Sequence, residues 1–273
     1  MHLVALPLKK KFNIPWIADF RDPWTNIYYY NKLMLTKWAD LQHHKLERRV
    51  LQNADCVVTV GETIKDELMQ LGAKKAVVIT NGYDEADVSG NAIQPDKKFS
   101  LAHIGSLLPF SNSNALWKVL QELIQNDSRF ADRLEIKLVG KIDASVAESL
   151  RKYHLEDFVK KIEYLPHDEL IKTQMQAQVL LLLLPDTPNS KGILTGKFFE
   201  YLSAKRPILA IGAPDGDMAE ILKETNAGRI SDFNDEDSLK KNILEYYDAY
   251  KNGNLCCDSR GVEKYSRIEL TRQ

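Results

Sequence analysis

Several short runs of this chain are apolar throughout rather than alternately apolar, and this feature most constrains its fold. They fall at 16–18, 56–60, 76–79, 138–139, 179–184 and 208–211. A strand reads this way when both of its faces are covered, as in a parallel sheet. Longer amphipathic stretches lie between them, at 32–53, 62–71, 114–125, 145–153, 168–176, 218–225 and 236–250. Strand and helix therefore alternate. The pattern predicts an α/β chain with doubly wound parallel sheets, right-handed crossovers and ligand sites at the carboxyl ends of the strands.

The polar stretch 81–98, NGYDEADVSGNAIQPDKK, contains Asn-Gly and a proline, and has no apolar period. It divides the chain. We expect a domain over 1–90, a second over 91–255, and a C-terminal helix over 256–273 that crosses back to the first. Five or six strands follow the division, enough for a complete doubly wound sheet. Three precede it, at 15–20, 56–60 and 76–80, which is few for an independent core. Residues 1–8 read as the end of a helix without a start, and SRIELTRQ stops within a helix. The first domain is therefore expected to be incomplete and N-terminally truncated. Exposed apolar surface and self-association through its sheet would follow.

The chain has 273 residues, a net charge of −1 and 27% charged residues, so no basic footprint argues for nucleic acid. Its three cysteines, Cys56, Cys256 and Cys257, show neither a disulfide framework nor a zinc spacing, which suits a reducing cytoplasm. The longest apolar run spans 179–184, far short of the ~20 residues of a membrane helix. Charges follow the first apolar residues instead of preceding them, the reverse of a secretory signal. Lys9, Lys10, Lys11 and Phe12 leave room for weak contact with an anionic membrane face, although a solvated helix end explains them too.

The richest segment is 190–228, SKGILTGKFFEYLSAKRPILAIGAPDGDMAEILKETNAG. A loop containing Lys191, Gly192, Leu194 and Thr195 leads into a helix with Gly196, Lys197 and Glu200 in its first two turns. Gly192 and Gly196 let backbone approach a ligand, and Thr195 is placed as an N-cap. The free N–H groups of the helix mouth and the Lys197 ammonium suit a diphosphate, and Glu200 suits the hydroxyls of a ribose. The plain alternative is a capped helix with a Lys197–Glu200 surface pair, worth only tenths of a kcal/mol.

Three further clusters carry weaker signals. Gly105 and Ser106 end the first strand after the division, where a nucleotide fold bends toward its ligand, but they also make an ordinary βα loop. Asp215-Gly216-Asp217 resembles a metal-binding D-x-D, yet its place before a helix favours an N-cap at Asp217. Asp19-Phe20-Arg21-Asp22-Pro23-Trp24 sets carboxylates and a guanidinium among rings, suited to a sugar or to a loop-fixing ion pair.

On KGILTGKFFEYLSAKRPILAI, IPWIADFRDPW, ADCVVTVGETIKDEL, VITNGYD and LAHIGSL, the chain resembles the group 1 (family 4) glycosyltransferases over nearly its whole length. That resemblance implies the B-type fold, GT-B, of two Rossmann-like domains with a cleft between them. It also implies transfer of a sugar from a nucleotide-diphosphate donor to a sugar or lipid-linked hydroxyl, in surface polysaccharide or glycolipid synthesis. The family generally retains anomeric configuration and uses no bound metal or separate cofactor. By position, the second Glu of its E-x7-E pair is Glu200, and its diphosphate loop is 192–197. Arg21 and Asp22 would face the acceptor. This sequence departs from the pattern at two points: the first Glu of the pair falls on Gly192, and the Arg of the first C-domain strand's loop falls on Ser106. Lys191 or Lys197 would then replace the missing cations. Two other readings stand beside this one, a sugar-nucleotide epimerase of the same fold and a non-catalytic nucleotide-sugar-binding module. The location expected is cytoplasmic, including the periphery of the inner membrane face.

Overall fold

A computed structural model describes residues 1–88 and 93–272; the division expected at 90/91 lies outside the described residues. The first part runs α1 (His2–Phe12), β1 (Ile17–Asp19), α2 (Lys37–Asn53), β2 (Cys56–Thr59), α3 (Glu62–Gln70) and β3 (Ala76–Val78). Its strands form a three-stranded parallel sheet in the order β1-β2-β3. The core beneath it gathers Leu6 of α1, Trp16, Ala18 and Phe20, Val50 and Leu51 of α2, and Ile64 and Leu68 of α3. β1 is an edge strand whose Ile17 is exposed, as are Leu3, Val4, Leu8, Phe12 and Ile14 beside it.

The second part runs β4 (Phe99–Ile104), α4 (Asn114–Asn126), α5 (Ser128–Arg133), β5 (Leu134–Val139), α6 (Ala144–Lys152), β6 (Val159–Ile162), α7 (His167–Gln176), β7 (Val179–Leu183), α8 (Gly196–Ser203), β8 (Ile208–Ile211), α9 (Asp217–Thr225), β9 (Gly228–Ser231), α10 (Glu236–Lys251) and α11 (Arg267–Thr271). All six strands are parallel, in the order β6-β5-β4-β7-β8-β9. This is the doubly wound order, in which the connection reverses direction between the first and fourth strands. The reversal falls between β4 and β7.

Period-two packing explains the continuous apolar runs. Phe99 and Leu101 of β4, with Leu181 and Leu183 of β7, face one core against α4 and α10. Ala102 and Ile104, with Leu180 and Leu182, face the other, against α8 and α9. The two outer strands follow a different rule. β6 reads VKKI, with Lys160 and Lys161 exposed at the sheet edge, and β9 reads GRIS. Neither is an apolar run, because an edge strand has less to bury.

The described part of the C-terminal segment runs back to the end of the first part. Tyr83 pairs with Ser266 through the residues on either side of it, its N–H donating to Tyr265 O and its carbonyl accepting from Arg267 N–H. α11 is short, and Ser266 caps it through its hydroxyl.

Candidate functional site

The loop from β7 to α8 is the centre of the site. After Leu183 the chain makes a short 3-10 turn at Ser190–Gly192 and enters α8 at Gly196. α8 is held to β4 by Tyr201, whose fully buried hydroxyl accepts the Ile104 N–H at 2.9 Å. This bond places the mouth of α8 beside the turn at Gly105, at the switch point of the sheet.

The two glycines of the loop have different tasks. A Cβ at Gly196 would meet nothing within 4 Å. Gly196 therefore presents open backbone to the groove, as an anion-binding helix mouth requires. A Cβ at Gly192 would lie 3.1 Å from Ile64 Cγ1 and 3.4 Å from Thr63 Cγ2. Its missing side chain thus makes room for α3 of the first sheet. Thr195 occupies the N-cap position of α8, but its hydroxyl caps nothing and is buried without a partner.

The Lys197–Glu200 pair of the plain reading does not form. The Lys197 ammonium lies 3.3 Å from Nε2 of His103, beneath the Gly105 turn. Burial pulls the Lys197 pKa down to about 8 and that of His103 to about 3, so the imidazole is neutral. Gly105 adopts a left-handed φ of 110°, and a Cβ there would lie 2.9 Å from the Lys197 ammonium. Lys191 points elsewhere: it is exposed and pairs with Asp215.

Glu200 is half-buried and lines a groove of about 540 Å³ between the two sheets, with Gly196, Arg21, Thr80, Asn81 and Arg267. Gln174 Nε2 lies 3.5 Å from its carboxylate. Adjoining this groove is a pocket of about 320 Å³ that shares Arg21, Asn81 and Gly196 with it. Arg21, Asp22, Asn26, Glu67 and Asn189 supply its polar wall; Pro23, Ile27, Val60, Ile64 and Leu194 supply its apolar one. A third cleft, of about 730 Å³, is lined by Gly105 and Ser106 and has a largely apolar floor of Val139, Ile142, Leu165 and Leu170. Of the donor and acceptor residues expected from the sequence, Arg21, Asp22, Gly192, Leu194, Thr195, Gly196 and Glu200 line the groove and its adjoining pocket, Gly105 and Ser106 line the third cleft, and Lys191 and Lys197 line none of them.

Contacts between the two halves fix the geometry. Within the first part Arg21 donates to Asn81 Oδ1 at 2.7 Å, and Asn81 donates across to Leu194 O at 3.2 Å. Asn189 donates to Asn26 Oδ1 at 2.8 Å. Asp217 lies at the start of α9, but the N-cap position belongs to Gly216, correcting the expectation that Asp217 caps its own helix. Its carboxylate instead accepts from Thr63 of α3. Asp215 thus pairs with Lys191 and Asp217 with Thr63. The loop 21–30 rests on α2. Glu47, 1% exposed, accepts the N–H groups of Trp24 and Thr25 at 3.2 Å each and the Thr25 hydroxyl, and His43 Nδ1 accepts the Trp24 indole N–H at 3.0 Å. Sequence reading missed Glu47, His103, Asn26 and Asn189. His103 left a trace, as a histidine inside an otherwise apolar strand.

Two parallel-sheet domains facing each other across a groove, with a helix mouth and an acidic residue on its wall, define the GT-B fold of glycosyltransferases. Solved structures with this architecture include HepE from Anabaena, in complex with UDP (TM-score 0.72, 14% identity, covering 100% of this chain and 74% of that one). A glycosyltransferase from Rickettsia africae matches with a TM-score of 0.68 at 14% identity, over 99% of this chain and 78% of that one. Sucrose-phosphate synthase from Thermosynechococcus elongatus matches with a TM-score of 0.62 at 18% identity, over 99% of this chain and 66% of that one. In sequence, residues 1–87 match the family model described as Glycosyltransferase Family 4, in agreement with the resemblance read from the motifs. No curated protein sequence matches the chain.

Proposed function

We propose that the chain transfers a sugar from a nucleotide-diphosphate donor to a hydroxyl acceptor. The observation that carries this reading is the place of Gly196 and Glu200 on the wall of the interdomain groove, with the Lys197 ammonium held against His103 behind the mouth of the same helix. The donor's diphosphate would lie against the open backbone of Gly196 and the Lys197 ammonium. The N-terminal end of α8 favours the negative charge that develops on the leaving phosphate, without any group having to reorganise. Glu200 would accept from two ribose hydroxyls. The apolar cleft at Gly105 and Ser106 would take the base. The pocket lined by Arg21, Asp22, Asn26 and Asn189 would take the acceptor, its mixed polar and apolar walls suiting a sugar ring. UDP and UDP-glucose in complexes of HepE support a uridine donor as the first to test.

Among the described residues no helix is long and apolar enough to cross a membrane. Exposed Leu3, Val4, Leu8, Phe12 and Ile14, next to Lys10 and Lys11, suit peripheral contact with an anionic membrane face carrying a lipid-linked acceptor, in surface polysaccharide or glycolipid synthesis. The deciding experiment is nucleotide release from a panel of UDP-, GDP- and ADP-sugars, with and without hydroxyl acceptors. Acceptor-dependent release of one nucleoside diphosphate is expected. Epimerisation of the sugar without an acceptor, or binding without turnover, would replace this reading.

A further inference from the structure

We propose that His103 is a positioning residue that fixes the Lys197 ammonium at the turn after β4, where it meets the donor's diphosphate. The proposal rests on the donor reading above.

Hydrogen-bonding capacity sets the roles of His103 and Lys197. His103 is 2% exposed, on β4. Its Nδ1 lies 3.1 Å from the backbone carbonyl of Leu181 on β7. The Leu181 carbonyl only accepts, which favours the hydrogen on Nδ1; the Ser106 backbone also hydrogen-bonds the ring. Nε2 then holds a lone pair, and it faces Lys197 Nζ at 3.3 Å. An ammonium only donates, so the two roles match only while the imidazole is neutral. Both strands beside the switch point thus set one tautomer, and that tautomer holds one ammonium.

Without this acceptor, a lysine at the second position of a helix would extend into water, because ordering its long side chain costs rotamer entropy. Gly105 keeps the path clear; a side chain there would push the ammonium out. The cation therefore arrives beside the Gly105 turn. The titratable groups facing Lys197 are His103 from β4 and Glu200 from α8. Glu200 forms no ion pair with it among the described residues, so the ammonium is left for an incoming anion.

Two substitutions separate positioning from packing. Gln presents an acceptor near the place of Nε2, whereas Asn reproduces only the Nδ1 donor. In protein whose lysines carry carbon-13 dimethyl groups, with the Lys197 signal assigned through Lys197→Arg, the Lys197 titration reports its environment without any nucleotide. Wild type and His103→Gln should titrate well below the ordinary lysine value of about 10.4. His103→Asn should move toward that value as the side chain swings out. Calorimetry with UDP should show His103→Asn weakened about tenfold or more, the range of one charge-assisted contact, and His103→Gln close to wild type. An unmoved titration in a folded His103→Asn protein overturns the proposal, as does unchanged UDP affinity in that variant when the wild type binds UDP. If wild type binds none of UDP, GDP and ADP, the donor reading fails, and the titration still decides what His103 does to Lys197.

Discussion

The Asp217 carboxylate accepts two hydrogen bonds from Thr63, one from its backbone N–H at 3.1 Å and one from its hydroxyl at 2.7 Å, 154 positions away in the chain. Asp217 opens α9 beside the second sheet; Thr63 lies in the first turn of α3 beside the first. The N-cap position of α3 is Gly61, which has no side chain to cap with. One domain therefore caps a helix of the other. Removing a capping carboxylate costs about 1 kcal/mol, so Asp217→Ala should lower the unfolding free energy by roughly that amount in urea melts. A Cβ at Gly61 would lie 2.1 Å from Asp217 Oδ2. Gly61→Ala should therefore destabilise the wild type more than it destabilises Asp217→Ala. Additive effects of the two changes would contradict the contact.

The same residue gives stability a pH dependence. Burial raises the Asp217 pKa, against the lowering effect of the Thr63 hydrogen bonds. A carboxyl with a higher pKa folded than unfolded binds its proton more tightly in the native state. Its contribution therefore falls as pH rises from about 4 through the raised value, and is level above it. The stability of wild type relative to Asp217→Asn should decline over that window in chemical melts taken from pH 4 to 7. Parallel curves would contradict the shift.

Gly192 and Gly196 should respond oppositely to alanine. At Gly196 the space is open and the site is the first position of a helix, so Gly196→Ala should leave the melting temperature unchanged or slightly raised. It should also weaken nucleoside-diphosphate binding, because the methyl group fills the helix mouth. At Gly192 the methyl group meets Ile64 and Thr63 across the domain contact, so Gly192→Ala should lower the melting temperature. Thermal melts with and without UDP read both outcomes.

The fold was legible because strands buried on both faces leave apolar runs that period-two counting detects. The runs at 179–184 and 208–211 lie within about a residue of β7 and β8, which are buried throughout, and those at 16–18, 56–60 and 76–79 lie as close to β1, β2 and β3, which are only partly covered. The edge strands β6 and β9 were not legible, since lysines at 160 and 161 and a glycine at 228 carry no such signal. At the site, the helix mouth followed from local chemistry, while Glu200 was named by the family resemblance. The partners of Lys197 and Asp217 did not. His103 is 94 positions from Lys197, Thr63 is 154 from Asp217, and no local rule joins residues that far apart. Gly192 shows the same limit: its absent side chain suggested ligand access, and the neighbour is a helix of the other domain.

The most direct test of the central claim is the contribution of the ribose hydroxyls to nucleotide affinity, measured by calorimetry with UDP and 2′,3′-dideoxy-UDP on wild type and Glu200→Ala. Two hydroxyls on a half-buried carboxylate should be worth about a tenfold preference for UDP or more. The account predicts that wild type shows this preference and that Glu200→Ala abolishes it. A wild type that binds both ligands equally, or a Glu200→Ala protein that keeps the preference, would contradict it.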